Sequence, residues 1–290
     1  MFRLKWNYLL VTACLALAAC ESDLPPDLTP PHIELDNPKM GGKFSAGTYI
    51  PFNALFSDDQ SLGTFSIDIH NAFDDHGHGR IAEDPELSKF SYKRNFELPP
   101  STAHIIALPE EIFIPVETMA GPYHFIVQAI DAVGNATSFQ DASNVEREIQ
   151  ITNASMARVD ITNILNDELE IEADFPFIVE GTITDPPHPA LQGFELVYIA
   201  LGEPDEGHAH EHERMAENLF ENYTEGSQLD PYYNQDGSLN LSKLINFTPG
   251  SQDLSTLQNE GVDHLVLTIE VHDIQGNITF ELVPVHIHTN

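Results

Sequence analysis

The sequence of 290 residues contains 12 lysines and arginines against 46 aspartates and glutamates, for a formal net charge of −34. Charge of this sign repels nucleic acid and anionic membrane surfaces and attracts cations, although it also suits the simple solubility of an exported protein. Hydrophobic residues make up 41% of the chain, which is enough for folded cores, and the length suits two domains better than one.

The N-terminus has the pattern of an export signal. Arg3 and Lys5 precede an apolar run over residues 8–19 that is too short to span a bilayer as a mature helix. The run ends in Leu-Ala-Ala-Cys at 17–20, which resembles a bacterial lipobox. This resemblance implies a lipoprotein signal peptide over residues 1–19, with cleavage before Cys20 and lipidation of that cysteine. The alternative is an ordinary signal peptide with a chance cysteine.

Residues 20–31 are predicted to form an extended tether, because the sequence ESDLPPDLTPP after the cysteine is acidic and rich in proline. Acidic residues directly after Cys20 partly resemble the surface-export signal of Bacteroidota lipoproteins. This implies an outer membrane lipoprotein, periplasmic or surface-exposed, that is held to the membrane by its N-terminal lipid. Cys14 lies in the predicted signal, so the mature domains contain no cysteine for a disulfide or a thiolate metal site.

The remaining chain repeats one pattern. Residues 123–137 (YHFIVQAIDAVGNAT) and 263–279 (DHLVLTIEVHDIQGNIT) alternate apolar and polar residues, reach D-x-x-G-N, and return to an apolar segment. This pattern predicts a strand, a tight turn and a second strand. Upstream, residues 52–69 and 179–199 share a strand, acidic turn, strand pattern.

The fold class predicted from these short strands is all-β, with two tandem Ig-like antiparallel β-sandwiches. We place domain 1 at residues 32–153 and domain 2 at 154–290. The segment 211–223 (EHERMAENLFENY) has the apolar spacing of a short amphipathic helix. It predicts a helical insertion in domain 2, over about residues 202–250.

The A-x-D-x-x-G-N hairpins resemble the last two strands of bacterial Ig-like domains. With the lipobox and the H-x-H runs, the whole chain looks like a family of uncharacterised Bacteroidota lipoproteins with tandem Ig-like domains and histidine-rich loops. That family has no assigned activity. The resemblance therefore implies a fold and a location but no function.

In domain 1 a histidine-rich run, FDDHGHG, begins at residue 73 and contains His76 and His78. In an Ig-like sandwich the third, sixth and seventh strands lie side by side in one sheet. The end of the third strand therefore adjoins the start of the sixth. Alternation predicts that His70 and His124 face outward there as neighbours, beside the start of the run.

Domain 2 has a corresponding run, DEGHAHEHE, which begins at residue 205. The same alternation predicts that His264, at the start of the sixth strand, and His286 and His288, on the last strand, face outward near this run. Neutral imidazoles are ligands for zinc, copper and nickel, and three or four of them at about 2 Å form a tetrahedral zinc site. We therefore predict a transition-metal site, with zinc as the first choice and copper or nickel as alternatives.

The predicted metal ligands are His70, His76, His78, His124, His208, His210, His212, His264, His286 and His288. Nearby carboxylates are predicted as oxygen ligands or as partners that fix the imidazole tautomers; these are Asp74, Asp75, Asp205 and Glu206. His286 and His288 also fit a solvated terminal strand. We expect His32 and His104 to be ordinary surface residues.

Acidic residues occupy matching turns at the opposite end of each domain. Asp58, Asp59 and Asp131 in domain 1 correspond to Asp185 and Asp273 in domain 2. We expect these carboxylates to cap backbone amides, with cation binding as the alternative. His188 and His272 lie close to the same turns in the sequence.

The motifs of enzymes are missing: there is no G-x-S-x-G, no glycine-rich phosphate loop and no H-E-x-x-H. We predict a lipid-anchored, non-enzymatic protein that binds a transition metal, with an outer-membrane transporter as candidate recipient and no nucleic-acid partner. The alternative is an adhesion or glycan-binding module with incidental histidines, for which Tyr223, Tyr232 and Tyr233 are the clustered aromatic residues. A pH sensor built on many histidines near carboxylates is a third possibility.

Overall fold

The computed structural model describes residues 26–72, 86–98, 104–106, 110–138, 145–203, 218–259 and 261–288. The predicted signal peptide and Cys20 lie outside the described residues. Strands predominate in the described part of the chain. No helix in these ranges is long and apolar enough to cross a bilayer.

Nineteen strands and three helical segments make up the described structure. Domain 1 contains β1 (His32–Asn37), β2 (Gly42–Ser45), β3 (Tyr49–Ser57), β4 (Leu62–Asn71), β5 (Tyr92–Glu97), β6 (His104–Ile106), β7 (Glu110–Phe113), β8 (Gly121–Asp131) and β9 (Val145–Thr152). Domain 2 contains β10 (Arg158–Ile161), β11 (Leu169–Ile171), β12 (Phe177–Ile178), β13 (Gly181–Thr184), β14 (Phe194–Gly202), β15 (Phe220–Glu225), a 3₁₀ helix (Gly226–Tyr232), β16 (Leu239–Asn240), α1 (Leu241–Leu244), β17 (Asn246–Phe247), α2 (Ser251–Asn259), β18 (His264–Asp273) and β19 (Ile278–Ile287).

Both domains have the same strand order in their larger sheet. The order is β2-β9-β8-β4-β5 in domain 1 and β11-β19-β18-β14-β15 in domain 2. In each case the first strand runs parallel to the last strand of its domain, and the other pairs are antiparallel. The smaller sheets are β1-β3-β6, with β7 also on β3, and β10-β13-β16. This is the Ig-like plan, and the prediction of an all-β tandem of Ig-like sandwiches is confirmed.

Period-two alternation places the core between the two sheets of each domain. In domain 1 every second residue of β8 is fully buried, namely Phe125, Val127 and Ala129. Each lies opposite a residue of β4, and Phe125 and Val127 also lie opposite residues of β9. The buried core of domain 1 draws on residues between 33 and 151, and that of domain 2 on residues between 157 and 287. Each domain therefore has its own hydrophobic core.

The two D-x-x-G-N segments form the tight turns that the sequence predicts. The Asp131 amide donates to the Asn135 carbonyl, and the Asp273 amide donates to the Asn277 carbonyl. Gly134 and Gly276 have φ angles of 103° and 94°. A side chain with a Cβ rarely adopts this backbone conformation, which explains the glycine in both copies.

The predicted helix over residues 211–223 is wrong where the structure describes it. Residues 220–223 belong to β15, which pairs with the edge of β14. The Phe220 ring stacks on Phe247 with centroids 4.6 Å apart, so sheet pairing and aromatic packing outweigh the helical spacing of the sequence. Residues 204–217 lie outside the described residues. Within the described part of 202–250 the chain forms the 3₁₀ helix Gly226–Tyr232 and α1 together with the strands β15, β16 and β17.

A helix occurs instead at α2, directly before β18. Its Leu254 and Leu257 are buried in the domain 2 core. These two residues lie one turn apart on the helix and give it a single apolar face.

Asn277 links the two domains. Its side-chain oxygen accepts hydrogen bonds from the Ala120 amide (2.9 Å) and from Asn153 Nδ2 (2.7 Å). Both donors precede Ala157, the first residue of the domain 2 core. Asn277 Nδ2 donates to Asp273 Oδ2 at 3.0 Å. Asn277 is 1% exposed, and an ion pair between Lys43 and Glu281 (2.9 Å) spans the same junction at the surface. The turn of domain 2 thus fixes the end of domain 1.

We predict that Asn277→Ala lowers the free energy of unfolding by about 2–4 kcal/mol, since it leaves the buried Ala120 amide without an acceptor. Chemical denaturation of residues 21–290 measures this loss. Small-angle scattering of the same variant should show a wider range of interdomain angles.

The matched control is Asn135→Ala at the equivalent turn of domain 1. Asn135 is only half-buried and contacts the segment before β1, so we expect a loss of about 1 kcal/mol and unchanged scattering. Equal losses for the two variants would contradict the role of Asn277 at the junction.

Candidate metal centre

Two histidines face each other across the last two strands of domain 2. His264 at the start of β18 lies directly opposite His286 near the end of β19. Leu265, Val285 and Ile287, which alternate with them, are buried in the core. Both imidazoles therefore stand on the outer face of the sheet, with ring centroids 5.0 Å apart.

Glu168 joins this pair from the strand that follows a tight turn. The amides and carbonyls of Leu165 and Glu168 bond to each other, and the two residues between them, Asn166 and Asp167, have φ angles of 54° and 69°. Asparagine and aspartate tolerate this left-handed conformation better than other non-glycine residues. Because β11 then runs parallel to β19, Glu168 lies at the end of the sheet that carries His264 and His286.

The three side chains form a compact group of metal-ligand atoms. One carboxylate oxygen of Glu168 and one ring nitrogen of each histidine lie within 4.8 Å of one another. The distance from His264 Nε2 to Glu168 Oε2 is 3.9 Å. His264 has 52% of its side chain exposed and Glu168 has 34%, so the group is open to solvent on one side.

Asp263 orients the ring of His264. Its Oδ1 lies 2.8 Å from His264 Nδ1, and the hydrogen bond and charge of His264, together with the charge of His286, hold the pKa of Asp263 below its usual range. An ionised carboxylate only accepts, so Nδ1 carries the proton. This leaves the lone pair of a neutral ring on Nε2, the nitrogen that faces Glu168.

His286 has a buried Nδ1 atom that has no hydrogen-bond partner among the residues that the structure describes. A buried polar atom in this condition typically costs about 1–3 kcal/mol. A cost of this size indicates that His286 is not at this position to stabilise the fold.

Domain 1 brings together its own predicted pair, His70 and His124. They are direct partners on β4 and β8, with ring centroids 5.4 Å apart. Asp68 Oδ1 lies 3.1 Å from His70 Nδ1, and Glu146 Oε1 lies 2.5 Å from His124 Nδ1. The pairing of His70 with His124 agrees with the sequence prediction. Among the described residues, however, the two rings are not part of a group of three ligand atoms within 4.8 Å.

The other predicted ligands are distributed as follows. His288 is exposed and lies beyond His286 at the end of β19. Strand β14 ends at Gly202 opposite Val266, so the chain leaves the sheet close to His264. The remaining predicted ligands and their carboxylates lie outside the described residues: His76, His78, His208, His210, His212, Asp74, Asp75, Asp205 and Glu206.

Sequence reasoning missed Glu168 and Asp263. Glu168 becomes a neighbour of the histidines only because β11 pairs in parallel with β19, and parallel pairing across more than a hundred residues leaves no local pattern. Asp263 directly precedes His264, and its proximity was a usable signal for a carboxylate that orients an imidazole.

The acidic turns at the other end of each domain cap backbone amides, as expected. Asp131 Oδ1 accepts from the amides of Val133, Gly134 and Asn135. Asp273 Oδ1 accepts from the amides of Gln275 and Asn277.

The histidines beside these turns also have local partners. His188 Nδ1 accepts from the Leu191 amide at 2.8 Å, and His272 Nε2 lies 2.5 Å from Glu270 Oε1.

The comparisons with known proteins are consistent with this picture but assign no activity. A family model described as "Domain of unknown function (DUF4625)" matches residues 18–152. No curated protein matches the chain.

Several solved structures share the tandem arrangement at low similarity. A chimeric titin Z1Z2 tandem is 9% identical, with 90% of this chain and 100% of that chain covered and a TM-score of 0.31. The two tandem V-type regions of VCBP3, a v-region-containing chitin binding protein, are 10% identical, with 90% and 100% covered and a TM-score of 0.30. The fibronectin(III)-like modules of Clostridium thermocellum CbhA are 10% identical, with 89% and 98% covered and a TM-score of 0.23. At these scores the fold assignment rests on the strand order.

We predict that Asp273 titrates far above a normal aspartate. Burial raises its pKa to about 6, and the nearby Asp185 adds to the rise, against hydrogen bonds from Asn277 and Gln275. From about pH 4 to 6 the folded state therefore keeps a proton that the unfolded state has lost. Stability falls as pH rises through this window, by on the order of 3 kcal/mol in total.

Carbon-13 NMR of aspartate carboxyl groups measures this titration directly. Asp236 is the internal control, because hydrogen bonds from Ser238 lower its pKa, so it should titrate below 3.8 in the same spectra. A midpoint for Asp273 near that of ordinary aspartates would contradict the prediction.

Proposed function

We propose that this chain is a lipid-anchored protein of the cell envelope that binds a transition metal, zinc in the first place, without being an enzyme. The tandem Ig-like fold fits a binding or adhesion module. The observation that supports metal binding is the convergence of Glu168, His264 and His286 within 4.8 Å. Two imidazoles and one carboxylate are the ligand set of many zinc sites that keep a fourth position open.

The spacing of these atoms is close to what the ion requires. Ligand atoms in a tetrahedral zinc site lie about 3.4 Å apart, given zinc–ligand distances of about 2.0–2.2 Å. The present separations are at most 4.8 Å, and the partial exposure of His264 and Glu168 gives their side chains room to rotate toward an ion. Asp263 supplies the partner that orients a metal-bound imidazole.

The pair His70 and His124 supports a second, weaker site in domain 1. Both rings have their Nδ1 atoms held by carboxylates, which leaves both Nε2 atoms available to one ion. The predicted ligands His76 and His78 belong to the segment that follows β4. His208, His210 and His212 belong to the segment that follows β14, so we assign them to the domain 2 site.

We expect the mature chain, residues 21–290, to bind zinc with micromolar or tighter affinity, measured by calorimetry and by elemental analysis after dialysis. His264→Ala and His286→Ala should each weaken binding at least tenfold, and Asp263→Asn by about 10- to 100-fold through the lost orientation of His264. Affinity should fall below about pH 6.5, because a protonated imidazole has no lone pair for the metal.

His32→Ala is the control, since this histidine is exposed on β1 and should leave zinc affinity unchanged. Binding that survives the double substitution of His264 and His286 would place the metal elsewhere. A mature chain that retains no zinc after dialysis would refute the proposal.

The lipid anchor has its own test. We expect the full chain to incorporate labelled fatty acid in a bacterial host and to sediment with membranes. Cys20→Ala should abolish the label and release the protein into the soluble fraction, whereas Cys14→Ala should leave the lipid in place. Labelling that persists in Cys20→Ala would contradict the lipobox.

An adhesion or glycan-binding function is the second candidate, and one observation favours it. Tyr49 and Phe113 are 52% and 48% exposed on β3 and β7, with ring centroids 5.2 Å apart. Exposed aromatic faces of this kind stack on sugar rings. Of the tyrosines that the sequence suggested, Tyr223 is 42% exposed, whereas Tyr232 and Tyr233 pack against the domain 2 core.

A further inference from the structure

Asp58 keeps one carboxylate oxygen unused after capping its turn. Its Oδ1 accepts from the amides of Gln60 and Ser61, at 2.9 and 2.7 Å. Its Oδ2 is buried and has no hydrogen-bond partner in the described part of the chain, and the whole residue is only 8% exposed. Capping of the turn therefore explains the position of Oδ1 but not that of Oδ2. A buried anionic oxygen without a partner is unfavourable.

Two further carboxylates converge on Asp58. Asp131 comes from the end of β8 and is 4% exposed, and Asp27 comes from the segment before β1. One oxygen of each lies within 4.8 Å of the others. Asn135 positions Asp27, since its Nδ2 atom donates to the Asp27 carbonyl at 3.3 Å and to Asp131 Oδ2 at 2.5 Å.

The three carboxylates carry negative charge, and no basic side chain among the described residues pairs with them. None of the ion pairs among the described residues contains Asp27, Asp58 or Asp131. The carboxylate groups of Asp27, Asp58 and Asp131, with oxygen atoms within 4.8 Å of one another, repel each other when they are ionised. A bound cation removes this repulsion.

We propose that Asp27, Asp58 and Asp131 form a binding site for a hard divalent cation, calcium, at the junction of the tether and domain 1. All the candidate ligands are oxygen atoms, and hard cations prefer oxygen, whereas the zinc group of domain 2 contains nitrogen. Asp58 and Asp131 belong to the sandwich and Asp27 to the tether. The ion therefore fixes the direction in which the membrane tether enters the first domain.

The equivalent turn of domain 2 supports this assignment, because it has an asparagine in place of the third carboxylate. Asp185 and Asp273 correspond to Asp58 and Asp131, and Asp185 Oδ1 is likewise buried with no hydrogen-bond partner among the described residues. At the third position, however, the copies differ: Asn153 precedes β10 at the same distance along the chain as Asp27 precedes β1. Asn153 Nδ2 donates to Asn277 Oδ1. At the interdomain junction an asparagine side chain thus joins the two segments through a hydrogen bond. At the tether junction the equivalent residue is a third carboxylate.

Calcium titration of the mature chain, residues 21–290, by calorimetry tests the site. We expect one ion with an affinity of about 10⁻³ M or tighter, in the range of extracellular modules, and a rise in melting temperature with calcium concentration. Asp58→Asn should weaken binding at least tenfold while keeping the Oδ1 acceptor of the cap. Asp27→Asn should do the same, and it lies outside the sandwich, so folding is preserved.

Asp185→Asn is the matched control in domain 2 and should leave calcium affinity unchanged. The double variant of His264 and His286 should also bind calcium normally, which separates this site from the zinc proposal. The proposal is overturned if the parent chain binds no calcium at 10-fold above the expected dissociation constant, about 10⁻² M. It is equally overturned if Asp27→Asn and Asp58→Asn bind as the parent does, since binding then reflects only the overall acidic charge.

Discussion

The central strand of each larger sheet determines where both candidate sites lie. Strands β8 and β18 are paired on both sides and have one face in the core, so alternate residues have no freedom to change sides. Near its start each strand presents an outward histidine, His124 or His264, and each strand ends with a buried aspartate, Asp131 or Asp273. The paired histidines therefore lie at one end of each domain, and the buried aspartates of the turns lie at the other.

The two domains use this common frame in different ways. In domain 1 the histidine of β8 pairs with His70 on the third strand, whereas in domain 2 the histidine of β18 pairs with His286 on the last strand. The partner changes because each central strand has two neighbours and either can supply the second imidazole. The two copies of the fold thus share the position of one histidine and differ in the strand that carries its partner.

The acidic ends show the same freedom. A buried carboxylate needs hydrogen bonds or a counter-charge, and the backbone amides of the D-x-x-G-N turn supply the first in both copies. At the interdomain junction Asn277 and Asn153 supply neutral partners, which hold the domains together through hydrogen bonds. At the tether junction Asp27 adds a third carboxylate instead, and among the described residues only this turn brings three carboxylates within 4.8 Å of one another.

By itself, the sequence determined the elements that depend on local periodicity and turn chemistry. Alternation along β8, β18 and β19 assigned the buried and outward faces, and the glycine of each D-x-x-G-N turn assigned the hairpins. With the Ig-like strand order, this was enough to predict the neighbours His70 and His124. Tertiary structure alone decided that residues 220–223 form a strand, that Glu168 reaches His264 and His286, and that Asp27 reaches Asp58. Each of these depends on contacts between segments that are not neighbours in the sequence. Such pairing produces no periodic sequence pattern in either segment.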